Sequence, residues 1–114
     1  MQLDVTQRTD GITQVGLVGR LDLNGLHEVD MAFHGQTAVR RQPAMIDLSR
    51  LDYVASLGMG MLISCAQSLK TKGFAMVMYG AHGDVDAALR SAGLDQAIPM
   101  AVDADEALRL LGSA

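Results

Sequence analysis

Residues 44–73 read AMIDLSRLDYVASLGMGMLISCAQSLKTKG. Positions 44–48 are apolar apart from Asp47 and have the length of a short buried strand. Residues 49–55 read as a loop. From Ser56 an apolar-rich pattern predicts a helix running to Lys72 and stopping at Gly73, with Lys70 and Lys72 placed to complement the negative end of its dipole. Leu62, Cys65, Ala66 and Leu69 fall on one arc of that helix and are expected in the core. Leu57 and Met61 flank the arc on one side, Met59 and Ile63 on the other. That is more apolar surface than one packing contact covers. Met59 therefore suits either a contact for another protein or the edge of the core.

The strand–loop–helix unit continues in both directions. Downstream, residues 74–79 form a continuous apolar run between two glycines, as expected of a strand buried on both faces. Asp84 is expected to cap a third helix carrying Val85, Ala88, Leu89 and Ala92, which Gly93 ends. Residues 98–102 suit a short strand. Asp103 with Glu106 resembles a capping box ahead of a last helix with Ala104, Ala107, Leu108 and Leu111 as its apolar stripe. Upstream, two β-rich segments, 3–8 and 12–19, flank Thr9-Asp10-Gly11, a strong hairpin signal. Asn24 is expected to cap a helix with Leu26, Val29 and Phe33 inward and His27, Asp30 and His34 outward; Gly35 and Pro43 bracket its exit. The order β-β-α-β-α-β-α-β-α implies an α/β fold. Its sheet is mixed, parallel through crossovers with one antiparallel pair, and is packed with about four helices.

The totals narrow the function. The 114 residues fit one domain, 1–114. Apolar residues make up 49% and aromatics only 4%, so the core must be aliphatic and Met-rich. The net charge is −4 and the basic residues are scattered apart from Arg40-Arg41 and Lys70/Lys72, which leaves no footprint for nucleic acid. A single Cys65 excludes an internal disulfide or a cysteine-based metal cluster. No apolar run approaches the roughly 18 residues of a membrane span, and no basic-then-apolar leader opens the chain. The expectation is a cytoplasmic protein with no membrane partner. Nothing marks an enzyme or a cofactor. Ser56 lies in no Gly-x-Ser-x-Gly elbow, His27 and His34 lack the i, i+4 spacing of a metal pair, and Gly58-x-Gly60 lacks the third glycine of a dinucleotide loop.

Residues 44–73 resemble the central segment of STAS domains of the anti-sigma factor antagonist type. The shared features are a strand ending in Asp-Leu-Ser, a loop, a serine- and glycine-rich turn standing here as Ala55-Ser56-Leu57-Gly58-Met59-Gly60, and a helix ending in Lys-Gly. Gly19-Arg20-Leu21-Asp22 resembles the family's Gly-Glu-Leu-Asp, and the segment from Gly93-Leu94 through Ile98 to the last helix resembles the family's tail. The resemblance implies a single STAS domain acting in bacterial signal transduction and transcription regulation. In that role Ser56 is phosphorylated by a serine kinase that is also an anti-sigma factor. The unphosphorylated form binds this kinase and frees the sigma factor, and a metal-dependent protein phosphatase resets the switch. Asp22, Ala55, Leu57, Gly58, Met59 and Gly60 are the implied partner contacts. Ala55 and Leu57 depart from the Asp and the Ser or Thr usual at their positions. Other members of the family work without a phosphate cycle, as interaction modules in signalling assemblies or beside lipid-transport ATPases.

The residues themselves allow two readings at each key position. Ser56 opens a helix, where it serves as a phosphate acceptor or as an N-cap. Gly58 and Gly60 keep the turn thin enough for another protein's backbone to approach. Asp22, just past a strand end, could order the neighbouring loop or assist hydroxyl transfer, or it is an ordinary turn or capping residue.

Overall fold

The computed structural model describes residues 1–112. Its elements are β1 (Gln2–Gln7), β2 (Thr13–Leu21), α1 (Leu23–Gln36), β3 (Ala44–Asp47), β4 (Leu51–Val54), α2 (Ser56–Thr71), β5 (Met76–Tyr79), α3 (Gly83–Ser91), α4 (Leu94–Ala97), β6 (Met100–Ala101) and α5 (Ala104–Gly112). The hairpin predicted around Asp10-Gly11 joins β1 to β2 antiparallel. Gly11 takes the positive φ of +79°, and Asp10 Oδ1 accepts the Ile12 N–H at 3.2 Å. The remaining pairings are parallel, so the six-stranded sheet is mixed, in the order β1-β2-β3-β5-β6 with β4 on the far half of β2.

The central strands are buried on both faces, and alternate side chains divide between two cores. Ile46 and Met78 join Val29 and Phe33 of α1, Leu62, Cys65 and Leu69 of α2, Val85 and Leu89 of α3, and Leu94 of α4. Their neighbours Met45 and Val77 turn the other way and pack under Ala107 and Leu111 of α5. The start of α5 is tied by both side chains of the predicted box, with Glu106 reaching one residue further back than the Asp103 N–H that the motif calls for. Asp103 Oδ1 accepts the Glu106 N–H at 2.9 Å, and Glu106 Oε1 accepts the Val102 N–H at 3.0 Å.

Four local expectations are corrected. The segment 49–55 is not all loop, because Leu51–Val54 forms β4 and continues β3 along β2. Asp47 Oδ1 accepts the Ser49 N–H at 2.9 Å and turns the chain between the two strands. A register shift between Gly19 and Arg20 then leaves Asp52 unpaired, which replaces alternation by buried ends around two exposed residues. Asp22, not Asn24, caps α1. The third helix starts at Gly83, one residue ahead of Asp84, which lies in the first turn and complements the dipole there without capping. The stretch predicted as strand 98–102 shrinks to Met100–Ala101. Gly93, at φ +80°, starts an extra one-turn helix, α4, that draws Leu94 and Ile98 into the core.

Candidate functional site

β2 and β4 end side by side, with Leu21 and Val54 as register partners, and the Ala55 N–H donates to the Leu21 carbonyl at 2.9 Å. Each strand leads within two residues into a helix, so α1 and α2 begin next to each other at one end of the sheet. Two glycines let the helices start this close to the end of β2. A Cβ on Gly25 would lie 2.1 Å from the Arg20 carbonyl oxygen, and a Cβ on Gly58 would lie 2.6 Å from Leu21 Cγ. Leu21 is fully buried. The bare backbone at residue 58 therefore serves the chain's own packing, contrary to the expectation that it is kept open for a partner. Gly60 is exposed, with nothing within 4 Å of its Cβ position.

The two helix starts are finished differently. At α1, Asp22 Oδ1 accepts the Gly25 N–H at 2.8 Å. That N–H, and beyond it the Arg20 guanidinium, hold the Asp22 carboxyl below the usual carboxylate range. At α2 the capping position falls on Ala55, whose backbone is extended (φ −94°, ψ 165°) and whose methyl group caps nothing. Ser56 is the first helical residue, so the capping role considered for its hydroxyl is not the one it has. That hydroxyl is exposed and makes no hydrogen bond to any described residue. The first N–H groups of α2 consequently lack a side-chain partner.

Around Ser56 the surface combines apolar and charged groups. Leu57 is 61% exposed, while Met61 behind it is buried. Met59 and Ile63 lie at the margin of the core, half-buried and packed against it, so Met59 is partly the core edge; Ala66 is half-buried as well. Arg20, the register partner of Tyr53, lies over its ring at 4.4 Å from the centroid, with Nε 3.6 Å from Asp22 Oδ2. This stacked pair borders a 360 Å³ groove between β4 and α3, lined also by Asp52, Val54, Asp84 and Val85. The arrangement was hidden from a sequence reading because it depends on β4, whose residues look like loop.

The remaining reactive side chains are engaged elsewhere. Cys65 is buried, and burial pushes its thiol above the ordinary value. His34 Nε2 lies 3.2 Å from Asp30, and His82 Nε2 lies 3.0 Å from the Ser49 carbonyl. Among the described residues no group of three or more His, Cys, Asp and Glu side chains is placed to hold a metal ion, and no helix is long and apolar enough to cross a membrane.

Two predictions come from this geometry. Gly58→Ala is expected to lose about 1–3 kcal/mol by overpacking against Leu21, whereas Gly60→Ala is expected to gain about 0.5–1 kcal/mol by removing a mid-helix glycine. Urea unfolding of the two variants checks the opposite signs. The second concerns acid. Because the folded state depresses the Asp22 pKa, its contribution is present above about pH 4, where the unfolded side chain is ionised, and is lost as pH falls through the folded value. Asp22→Ala is thus expected to melt below wild type at neutral pH, and the gap should close in acid; thermal melts across that range measure it.

The STAS domain family model matches residues 5–107. No curated protein matches the chain in sequence. Among solved structures, an anti-sigma factor antagonist from Mycobacterium paratuberculosis is 25% identical at a TM-score of 0.81, covering 97% of this chain and 93% of that one. A putative anti-sigma factor antagonist from Thermotoga maritima shares the fold at a TM-score of 0.86 and 13% identity, covering 96% and 94%. The Bacillus cell fate determinant SpoIIAA in its phosphorylated form shares it at 0.66 and 15% identity, covering 96% and 99%. With the model matched from β1 into α5, the chain belongs to the STAS domain family.

Proposed function

We propose that this STAS domain is an anti-sigma factor antagonist-type switch whose phosphate acceptor is Ser56. The observation that carries the reading is the Ser56 hydroxyl itself, exposed and unbonded on the first residue of α2. A side chain that did structural work there would be engaged, and this one is not. The similarity to a protein described as an anti-sigma factor antagonist, and the shared fold with one solved in a phosphorylated form, support the same reading.

In the proposed cycle the unphosphorylated protein docks on a serine kinase that is also an anti-sigma factor. Leu57 and the exposed margin of Met59 supply apolar contact, Gly60 permits close approach, and Asp22, Ala55 and Gly58 hold the surface in shape. The kinase transfers the γ-phosphoryl group of ATP to Ser56 Oγ; the hydroxyl proton leaves and ADP departs. The new group brings about −1.5 to −2 charges and a hydration shell beside Leu57. Burying both in an apolar contact is costly, so the complex dissociates. A metal-dependent phosphatase then hydrolyses the phosphoester with water, returning the hydroxyl and inorganic phosphate. The domain acts in the cytoplasm as a binding module and supplies no catalytic group.

Ser56→Ala removes the acceptor without removing a bond, so its stability should stay within about 0.5 kcal/mol of wild type. With ATP present, the variant is expected to remain bound to the cognate kinase while wild type is released, as read by size-exclusion chromatography of the mixture. Release of the variant, with phosphate mapped to Ser49, Ser64 or Ser68, would overturn the assignment.

A further inference from the structure

Arg20 has a position that the proposed switch does not yet use. It is the cation among the residues lining the groove beside β4, where Asp52 and Asp84 are the other charged groups. Its present engagements are weak. One is a stack on the Tyr53 ring, the other an approach to Asp22 at 3.6 Å, longer than a hydrogen bond, with the Arg20 side chain 62% exposed. Arg20 and Ser56 are the sequence neighbours of the two residues joined by the Leu21 carbonyl–Ala55 N–H bond. Arg20 and Ser56 thus leave the same end of the sheet from neighbouring strands, one carrying a long, 62% exposed cationic side chain and the other an exposed hydroxyl.

We infer that Arg20 is the counter-ion for phosphate on Ser56, leaving Tyr53 and Asp22 to pair with the phosphoserine. The inference rests on the reading of Ser56 as phosphoacceptor. An exposed stack and a long ion contact are each weak, and a guanidinium–phosphate pair makes two parallel charge-assisted hydrogen bonds, so the exchange runs toward the phosphate. The phosphate is thereby held against its own domain and partly neutralised, and the Tyr53 ring is uncovered at the groove. Phosphorylation then alters the surface at the groove as well as at Ser56. Asp22, Asp52 and Asp84 raise the phosphate's second pKa, and Arg20 lowers it.

The test uses the full chain with phosphoserine incorporated at position 56 during translation, so it does not depend on the kinase. Phosphorus NMR titration gives the second pKa of the phosphate in this protein and in its Arg20→Gln, Arg20→Lys and Arg50→Gln variants. Removing Arg20 is expected to raise that pKa by about half a unit or more from its wild-type value near or below 6. Lysine should restore part of the shift, and Arg50→Gln, which breaks an ion pair with Asp4 instead, should leave it unchanged. Equal values in wild type and Arg20→Gln would overturn the inference, as would an equal rise in Arg50→Gln. Failure of the cognate kinase to modify Ser56 is a separate observation that strikes the switch and not the ion pair.

Discussion

The first turn of α2 rests directly on the end of β2, and the rest of the site depends on that contact. Leu21 is buried to completion between the two helix starts, and its carbonyl takes the Ala55 N–H. A side chain at residue 58 would occupy the space of Leu21 Cγ. With glycine there, α2 can begin immediately after β4, which puts Ala55 at the capping position and Ser56 one residue inside the helix. The exposure of the Ser56 hydroxyl follows from this placement and not from looseness of the loop. Gly25 performs the same service for α1 against the Arg20 carbonyl, so two helices and two strands meet at one point without leaving a gap.

That meeting point also explains the mixed character of the surface. Residues facing the sheet are committed to the core, as Met61 and Leu62 are. Those on the opposite side of the first turn, Leu57 and Gly60, are left exposed by the described residues. The charged groups at the strand ends are few and mutually arranged: Asp22 is occupied by the α1 backbone, and Arg20 is lodged on Tyr53. A phosphate on Ser56, as proposed, would enter a neighbourhood where apolar surface is exposed and the Arg20 guanidinium is lightly held. Those conditions allow a small modification to produce a large change in what another protein meets.

Much of this was legible in the sequence, for identifiable reasons. The apolar runs of β3 and β5, the Asp10-Gly11 hairpin and the Asp103/Glu106 cap are local signals, and each formed where the residues indicated. The central turn was legible because a serine and two glycines stand at the start of a long apolar helix. β4 was not, because a register shift leaves Asp52 unpaired and breaks the alternation that marks a strand. Asp22 and Asn24 are both competent caps, and composition does not choose between them; β2 runs to Leu21 in register with Val54 of β4, which puts Asp22 at the turn into α1. α4 has a single turn, too short to show a period. The fate of Met59 and the stacking of Arg20 on Tyr53 depend on neighbours brought in from other strands and helices, which no local pattern encodes.

The central claim is that the Ser56 hydroxyl is left free because it is there to be modified. The intact mass of the protein isolated from its native cells, taken before and after phosphatase treatment, tests this most directly. The account predicts a fraction heavier by one phosphate group, lost on treatment and absent when Ser56 is replaced by alanine. An unmodified mass in every growth condition, or a phosphate that persists in the alanine variant, would contradict it.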